Sequence, residues 1–118
     1  MNLSDIKKSR FLKKEDVTPA VLVTIREITK ENVAIEGAEE DFKVCIHFNE
    51  LDKPMVLNQT NGNMIAAITG QNENIEHTWI GATIVLYNDP SIMFAGKPTG
   101  GIRVRAPKGQ KPVDEVPF

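Results

Sequence analysis

The segment NQTNGNMIAAITG, residues 58–70, predicts one helix in a chain whose other apolar segments have the pattern of strands. Side-chain oxygens that can cap the start of a helix are carried by Asn58, Thr60 and Asn61. Apolar residues then recur at helical spacing and form one stripe: Met64, Ile65, Ala67 and Ile68. Gly70 can end the helix, because glycine adopts the left-handed conformation without strain. A helix of about three turns is not stable alone, so it must pack its stripe against a sheet.

Strand patterns lie on both sides of this helix. Residues 20–29 are rich in β-branched side chains, and residues 42–48 alternate apolar with polar side chains, as does a sheet with one buried face. A short strand at 55–57 leads into the helix. After it come a polar segment, 71–78, which we expect to be a mobile loop, and two further strands at 82–87 and 101–105, separated by a Gly/Pro-rich hairpin.

The order of elements is three strands, one helix and two strands. This is the order of the OB-fold, a five-stranded Greek-key barrel whose helix lies between strands 3 and 4, although other small α+β domains share it. We therefore expect a mainly β, OB-fold-like domain over residues 1–105 and a flexible tail over 106–118. A chain of 118 residues is long enough for one domain with a single core.

Composition limits the functions that the chain can have. The net charge is −2, so a nucleic-acid-binding function requires the basic residues to be gathered on one face. No apolar segment is long enough to span a bilayer and the first residues lack an apolar signal region, so we expect a cytoplasmic protein without membrane contact. The single Cys45 cannot form an internal disulfide, and inside a strand it is expected to be a buried structural thiol.

Alternation within the strands separates expected core residues from expected surface residues. Phe42 and Phe48 fall in the buried phase, whereas His47 falls in the polar phase and is expected to be solvated or to touch a phosphate or base. For Trp79, core packing and base stacking remain open. The basic segment 1–16 is expected to be a solvated arm, or a short strand that docks Phe11, with an arm that contacts phosphates as the alternative.

A protein that holds single-stranded nucleic acid needs cations for phosphates and flat rings for bases. Strand cations in the polar phase are Arg26, Lys43, Arg103 and Arg105, and Lys97 lies in the hairpin. The ring candidates are Tyr87 and Phe94. Metal-ligand spacing, a Walker A sequence and a GxGxxG sequence are all missing, so we expect neither an enzyme nor a cofactor.

The tail APKGQKPVDEVPF has the features of a short docking peptide, namely acids, a proline and a terminal aromatic ring. It resembles the tail of bacterial and phage single-stranded DNA-binding proteins, which place acids followed by Ile-Pro-Phe after an OB-fold. The matching residues are Asp114, Glu115, Val116, Pro117 and Phe118. Valine replaces isoleucine here, there are fewer acids, and the linker is short. The pattern LDKPMVLNQTN…WIG…IVLY…GGIRVR also resembles small phage-encoded proteins.

The resemblance implies a protein that coats single-stranded DNA in replication and recombination. Its tip would recruit replication or recombination proteins, it would form a homo-oligomer, and a phage-encoded protein would act in the bacterial host cytoplasm. The alternative is an OB-like adaptor or phage structural protein that binds no nucleic acid. Salt-sensitive binding to oligonucleotides separates the two.

Overall fold

A computed structural model describes residues 10–34 and 37–107, and its main feature is a five-stranded antiparallel sheet. The strands are β1 (Val21–Asn32), β2 (Phe42–Phe48), β3 (Met55–Val56), β4 (Thr83–Asp89) and β7 (Gly101–Arg105), with a separate hairpin of β5 (Met93–Phe94) and β6 (Lys97–Pro98). The order across the sheet is β3-β2-β1-β4-β7. The expected mainly β chain, with a helix between its third and fourth strands, is confirmed.

Strand β1 joins the two halves of the sheet. Its first part pairs with β4, from Val21 opposite Leu86 to Thr24 opposite Thr83. Its second part pairs with β2, beginning with Ile25 opposite Phe48, and the register shifts before Glu27. An irregularity of this kind bends a strand and increases its twist. One long strand therefore serves two partners, and the two halves of the sheet turn toward the same core.

The expected helix forms as α1 (Gln59–Thr69). Asn58 Oδ1 accepts a hydrogen bond from the Asn61 N–H at 2.8 Å, and Gly70 ends the helix at φ 73°. The expected apolar stripe needs one correction, because Met64 is 39% exposed and the buried face consists of Asn61, Ile65 and Ile68.

Two further sequence expectations are wrong. Phe42 is 55% exposed rather than buried, because β2 begins beyond the core, where Phe42 pairs with Asn32 near the β1–β2 turn. Residues 71–78 are not a loop throughout, since a short helix, α2 (Ile75–Thr78), leads into the buried Trp79. Phe48, in contrast, is buried in the core as expected. No helix in the described ranges has the length and apolar character needed to cross a membrane.

The seam between the sheet edges β3 and β7 decides whether the sheet closes into a barrel. Among the described residues these two strands do not pair, so a closed barrel is not formed by strand pairing. The N-terminal segment lies along the seam instead: the Leu12 N–H donates to Pro54 O at 2.9 Å, and Lys14 Nζ donates to Thr99 O. A 3₁₀ turn (Lys14–Val17) then buries Val17 completely. Part of the expected arm is thus docked rather than solvated.

Candidate nucleic-acid interface

The outer face of β4 and β7, which points away from the core, carries one aromatic ring on β4 and two arginines on β7. Tyr87 pairs with Arg103, and Val85 pairs with Arg105. The guanidinium carbon of Arg105 lies 5.8 Å from the centroid of the Tyr87 ring, within the ~6 Å range of a cation–π contact. Three of the expected site residues therefore share one surface, and the contact holds the Tyr87 ring beside a cation.

The charge on this face is positive because its arginines lack acidic partners. Neither Arg103 nor Arg105 forms an ion pair with any residue in the described ranges. Asp89 shares the face by alternation, but its carboxylate accepts hydrogen bonds from Ser91 Oγ at 2.6 Å and Ser91 N at 2.9 Å. These bonds, with a smaller effect from the charge of Arg103, hold the pKa of Asp89 below its usual value. Arg105 is thus uncompensated, and Arg103 is balanced only in part.

The β5–β6 hairpin carries the remaining pair of expected residues. Its turn residues Ala95 and Gly96 have φ angles of 52° and 81°, which is the geometry of the tight turn that matches strand twist. The turn places Phe94 opposite Lys97. Phe94 is 75% exposed, so an exposed ring lies opposite a lysine in the hairpin that leads into β7.

Of the other two expected cations, Lys43 lies apart from this surface. Lys43 pairs with Glu31 and has its ammonium 3.9 Å from an Asp41 oxygen. Along β1, Glu31 is nine residues from Leu22, which lies beside Val85 in the register, and nine residues of strand span about 30 Å. Arg26 is exposed at the register shift between the two halves. The face of β4 and β7 with the β5–β6 hairpin, here called the basic face, therefore excludes Lys43.

A polar network covers the outer face of β1 and β2. Glu31 Oε2 accepts from Thr29 Oγ1 at 2.6 Å and lies 2.8 Å from His47 Nε2, and Arg10 lies 4.0 Å from the other carboxylate oxygen. The Thr29 and His47 hydrogen bonds lower the pKa of Glu31. The network stabilises the fold at neutral pH, and this contribution is lost as the pH falls through the lowered pKa of Glu31. His47 is held by Glu31 and is not the solvated side chain that the pattern suggested.

Cys45 and Trp79 are both buried. Cys45 is fully buried, and burial, followed by the nearby charge of Glu31, raises the pKa of its thiol. A raised pKa makes a nucleophilic role unfavourable. Trp79 is 3% exposed and its Nε1–H donates to Gln71 O at 2.8 Å. Of the two alternatives left open for Trp79, the structure shows core packing.

Sequence reasoning missed a polar side chain in the core, because Asn61 was expected only as a cap. The signal was present, since Asn61, Ile65 and Ile68 follow the i, i+4, i+7 spacing of one helix face. Asn61 lines a groove of 470 Å³ in the seam between β3 and β7.

The remaining sequence expectations concern the C-terminal tip and metal binding. The expected docking tip, Asp114 to Phe118, lies outside the described residues. Within the described ranges, no group of three or more His, Cys, Asp or Glu side chains is arranged to hold a metal ion. Comparisons with known protein families, curated proteins and solved structures find no match to this chain.

Proposed function

We propose that this protein binds single-stranded DNA through the basic face and thereby coats exposed strands during replication or recombination. The observation that carries the proposal is that Tyr87, Arg103 and Arg105 share one outer sheet face. Neither arginine forms an ion pair with an acidic residue in the described ranges. The adjoining hairpin adds Phe94 and Lys97. A chain with a net charge of −2 thus presents a local positive surface.

The chemistry of the basic face fits an unpaired strand better than a duplex. Arginine forms bidentate hydrogen bonds to phosphate, and aromatic rings stack on any base, so the surface needs no particular sequence. Phe94 is 75% exposed and therefore accessible to a base, and Lys97 opposite it can contact the phosphate of the same nucleotide. Duplex DNA hides its bases in the stack and would leave the ring of Phe94 without a partner.

We further propose that the fold is an OB-fold variant whose seam is covered by the N-terminal segment. The sheet order β3-β2-β1-β4-β7 and the position of α1 between β3 and β4 support this. The bond from Leu12 to Pro54 and that from Lys14 to Thr99 hold a non-strand segment where a barrel would join its first and last edges.

Fluorescence anisotropy with a labelled dT oligonucleotide tests the proposed function. Binding is expected at low salt and should weaken as salt rises, because each neutralised phosphate releases counterions. A lack of binding at low salt would contradict the proposal and favour an adaptor or phage structural protein.

Replacing Phe94 with alanine should weaken oligonucleotide binding by roughly 5- to 150-fold, since one base–aromatic stack contributes about 1–3 kcal/mol. The melting temperature should hardly change, because the ring is exposed. Met93→Ala is the matched control, since Met93 is also exposed on the same hairpin but pairs with Pro98 rather than with Lys97. Equal losses in the two variants would argue against stacking by Phe94.

The C-terminal residues 114–118 are proposed to recruit replication or recombination proteins. Deleting Phe118 should abolish capture of such partners, because the deletion removes the ring that would fill a partner pocket. Oligonucleotide affinity should stay the same or rise, since the tip supplies acids and no cations. Partner capture that survives the deletion in a pull-down assay would show that the terminal ring is not used.

A further inference from the structure

The groove in the seam, which we call the seam groove, has the size of a small-ligand site. Its volume is 470 Å³, within the range of about 300–1,000 Å³ that is usual for ligand pockets. Its apolar walls come from the N-terminal segment, β3 and β7, through Leu12, Met55 and Ile102. Lys13 is exposed at the rim, while Lys14 is held by Thr99 O. Glu15 also lines the groove, and its negative charge disfavours an occupant that carries more than one anionic group.

Asn61 gives the seam groove a specific chemical requirement. This side chain is 2% exposed, and its Nδ2 donates to Ile102 O at 3.1 Å, which fixes the orientation of the amide. Its Oδ1 is buried and has no hydrogen-bond partner among the described residues. A buried acceptor is unfavourable until a donor reaches it. An occupant that brings an N–H or O–H group would satisfy this acceptor once a movement of the groove lining exposes Oδ1.

A second polar group of the groove adds a donor. Asn58 uses its Oδ1 to cap α1, accepting from the Asn61 N–H. The NH₂ group of Asn58 is consequently the part of that amide left for an occupant, and Asn58 lines the same groove. An acceptor from Asn61 and a donor from Asn58 are the kinds of group that complement the Watson–Crick edge of a nucleobase, where N–H and C=O or ring nitrogen groups lie side by side.

We infer that the seam groove receives one base of the bound strand, with Asn61 Oδ1 accepting a hydrogen bond from an N–H of the Watson–Crick edge. The flat base lies between the apolar walls, and Lys13 at the rim meets the attached phosphate. Unpaired bases offer this edge freely, whereas paired bases do not, so the groove adds selectivity for single strands.

An extended peptide fits the groove less well than a base. A peptide strand inserted between β3 and β7 would need the free backbone groups of both edges. The seam has already used two of these carbonyls, since Ile102 O accepts from Asn61 and Pro54 O, just before β3, accepts from Leu12. A base needs only side-chain groups and apolar walls, and these are what the groove offers.

This inference rests on the proposed function, since the base belongs to the strand held on the basic face. Strand β7 connects the two places: Ile102 lines the groove, and Arg103 follows it on the outer face. A bound strand passing over the edge of β7 can therefore leave phosphates on the arginines and one base in the groove. A free nucleotide tests the groove without requiring the arginines.

The test is a nuclear magnetic resonance titration of the isotope-labelled full chain with thymidine monophosphate and with its N3-methyl derivative. Thymine has a single N–H donor on its Watson–Crick edge, and methylation removes it. Thymidine monophosphate should shift the backbone amides of Met55 and Gly101 and the side-chain amide of Asn61. The methylated nucleotide should bind at least about tenfold more weakly, because it leaves the buried acceptor unpaired.

Each other outcome contradicts either the inference or the proposed function, and the outcomes can be told apart. Equal binding of the two nucleotides, or no shifts at the groove, would exclude the proposed hydrogen bond. Shifts confined to Tyr87 and Arg105 would exclude the groove and leave the proposed function intact. Groove shifts caused by a synthetic peptide of residues 112–118, and not by the nucleotide, would identify a peptide site. If Arg103→Glu with Arg105→Glu kept full oligonucleotide affinity, the basic face would fail while the groove result stood.

Discussion

Replacing Arg103 and Arg105 together with glutamate is expected to weaken binding to a dT oligonucleotide by about 100-fold or more. Each arginine is assigned a charge-assisted contact to phosphate, and such contacts contribute about 1.5–3 kcal/mol each. The two new carboxylates would also repel the strand. The plot of log affinity against log salt should become shallower by about 1.4, since each lost phosphate contact removes ~0.7 for single strands.

Arg26→Glu and Lys43→Glu, made together, form the matched control for this charge reversal. They change the net charge by the same amount, but Arg26 lies at the register shift and Lys43 lies beside Asp41 and opposite Glu31. We expect the control to weaken binding only severalfold, through long-range repulsion. Equal losses in the two double variants would show that total charge matters rather than the basic face. Unchanged binding in the Arg103 and Arg105 variant would place the interface elsewhere.

Local patterns in the sequence were enough to predict the elements. The α1 helix follows from an Asn58 cap, an apolar spacing and a Gly70 stop, all of which act within one or two turns. The alternation in β7 correctly places Val104 in the core and Arg105 outside. These signals depend on neighbours along the chain, so no knowledge of the tertiary structure was required.

Features that depend on position relative to the core could not be predicted in this way. Alternation assigns Phe42 to the core face, but β2 extends past the end of the core and exposes the ring. Alternation also gave no information on distance along a strand, so Lys43 and Arg105 were grouped although about 30 Å of β1 separates their positions. The seam likewise depends on the contact between Leu12 and Pro54, which are distant in sequence.

The candidate site was predicted in part for the same reason. Tyr87, Arg103 and Arg105 share a face because β4 and β7 pair in a register that period-two reasoning anticipates. The pairing of Phe94 with Lys97 required the turn geometry of Ala95 and Gly96, which the Gly/Pro-rich sequence only suggested. The seam groove was not anticipated at all, since it is formed by three separate segments.

The second large effect is expected for Trp79→Ala, which should lower the free energy of unfolding by about 3–5 kcal/mol. The indole ring is buried in the core and its N–H donates to Gln71 O, so the substitution leaves a cavity and removes that hydrogen bond. Such a loss is a large share of the ~5–15 kcal/mol that stabilises a typical domain. Urea unfolding followed by circular dichroism measures it, because the substitution removes the tryptophan whose fluorescence would otherwise be used.

Trp79→Phe provides the milder variant that keeps the experiment informative if the alanine variant does not fold. Phenylalanine fills most of the space and loses only the hydrogen bond to Gln71, so we expect a decrease of about 1–2 kcal/mol. Oligonucleotide affinity should be unchanged in this folded variant, since the ring is not on the basic face. An unchanged urea midpoint with weakened binding would instead assign Trp79 to base stacking.

Trp79 is the single tryptophan and lies in the core. Binding of DNA to the basic face should therefore leave the fluorescence of Trp79 largely unquenched, whereas strong quenching would require the strand to reach the interior side of the sheet.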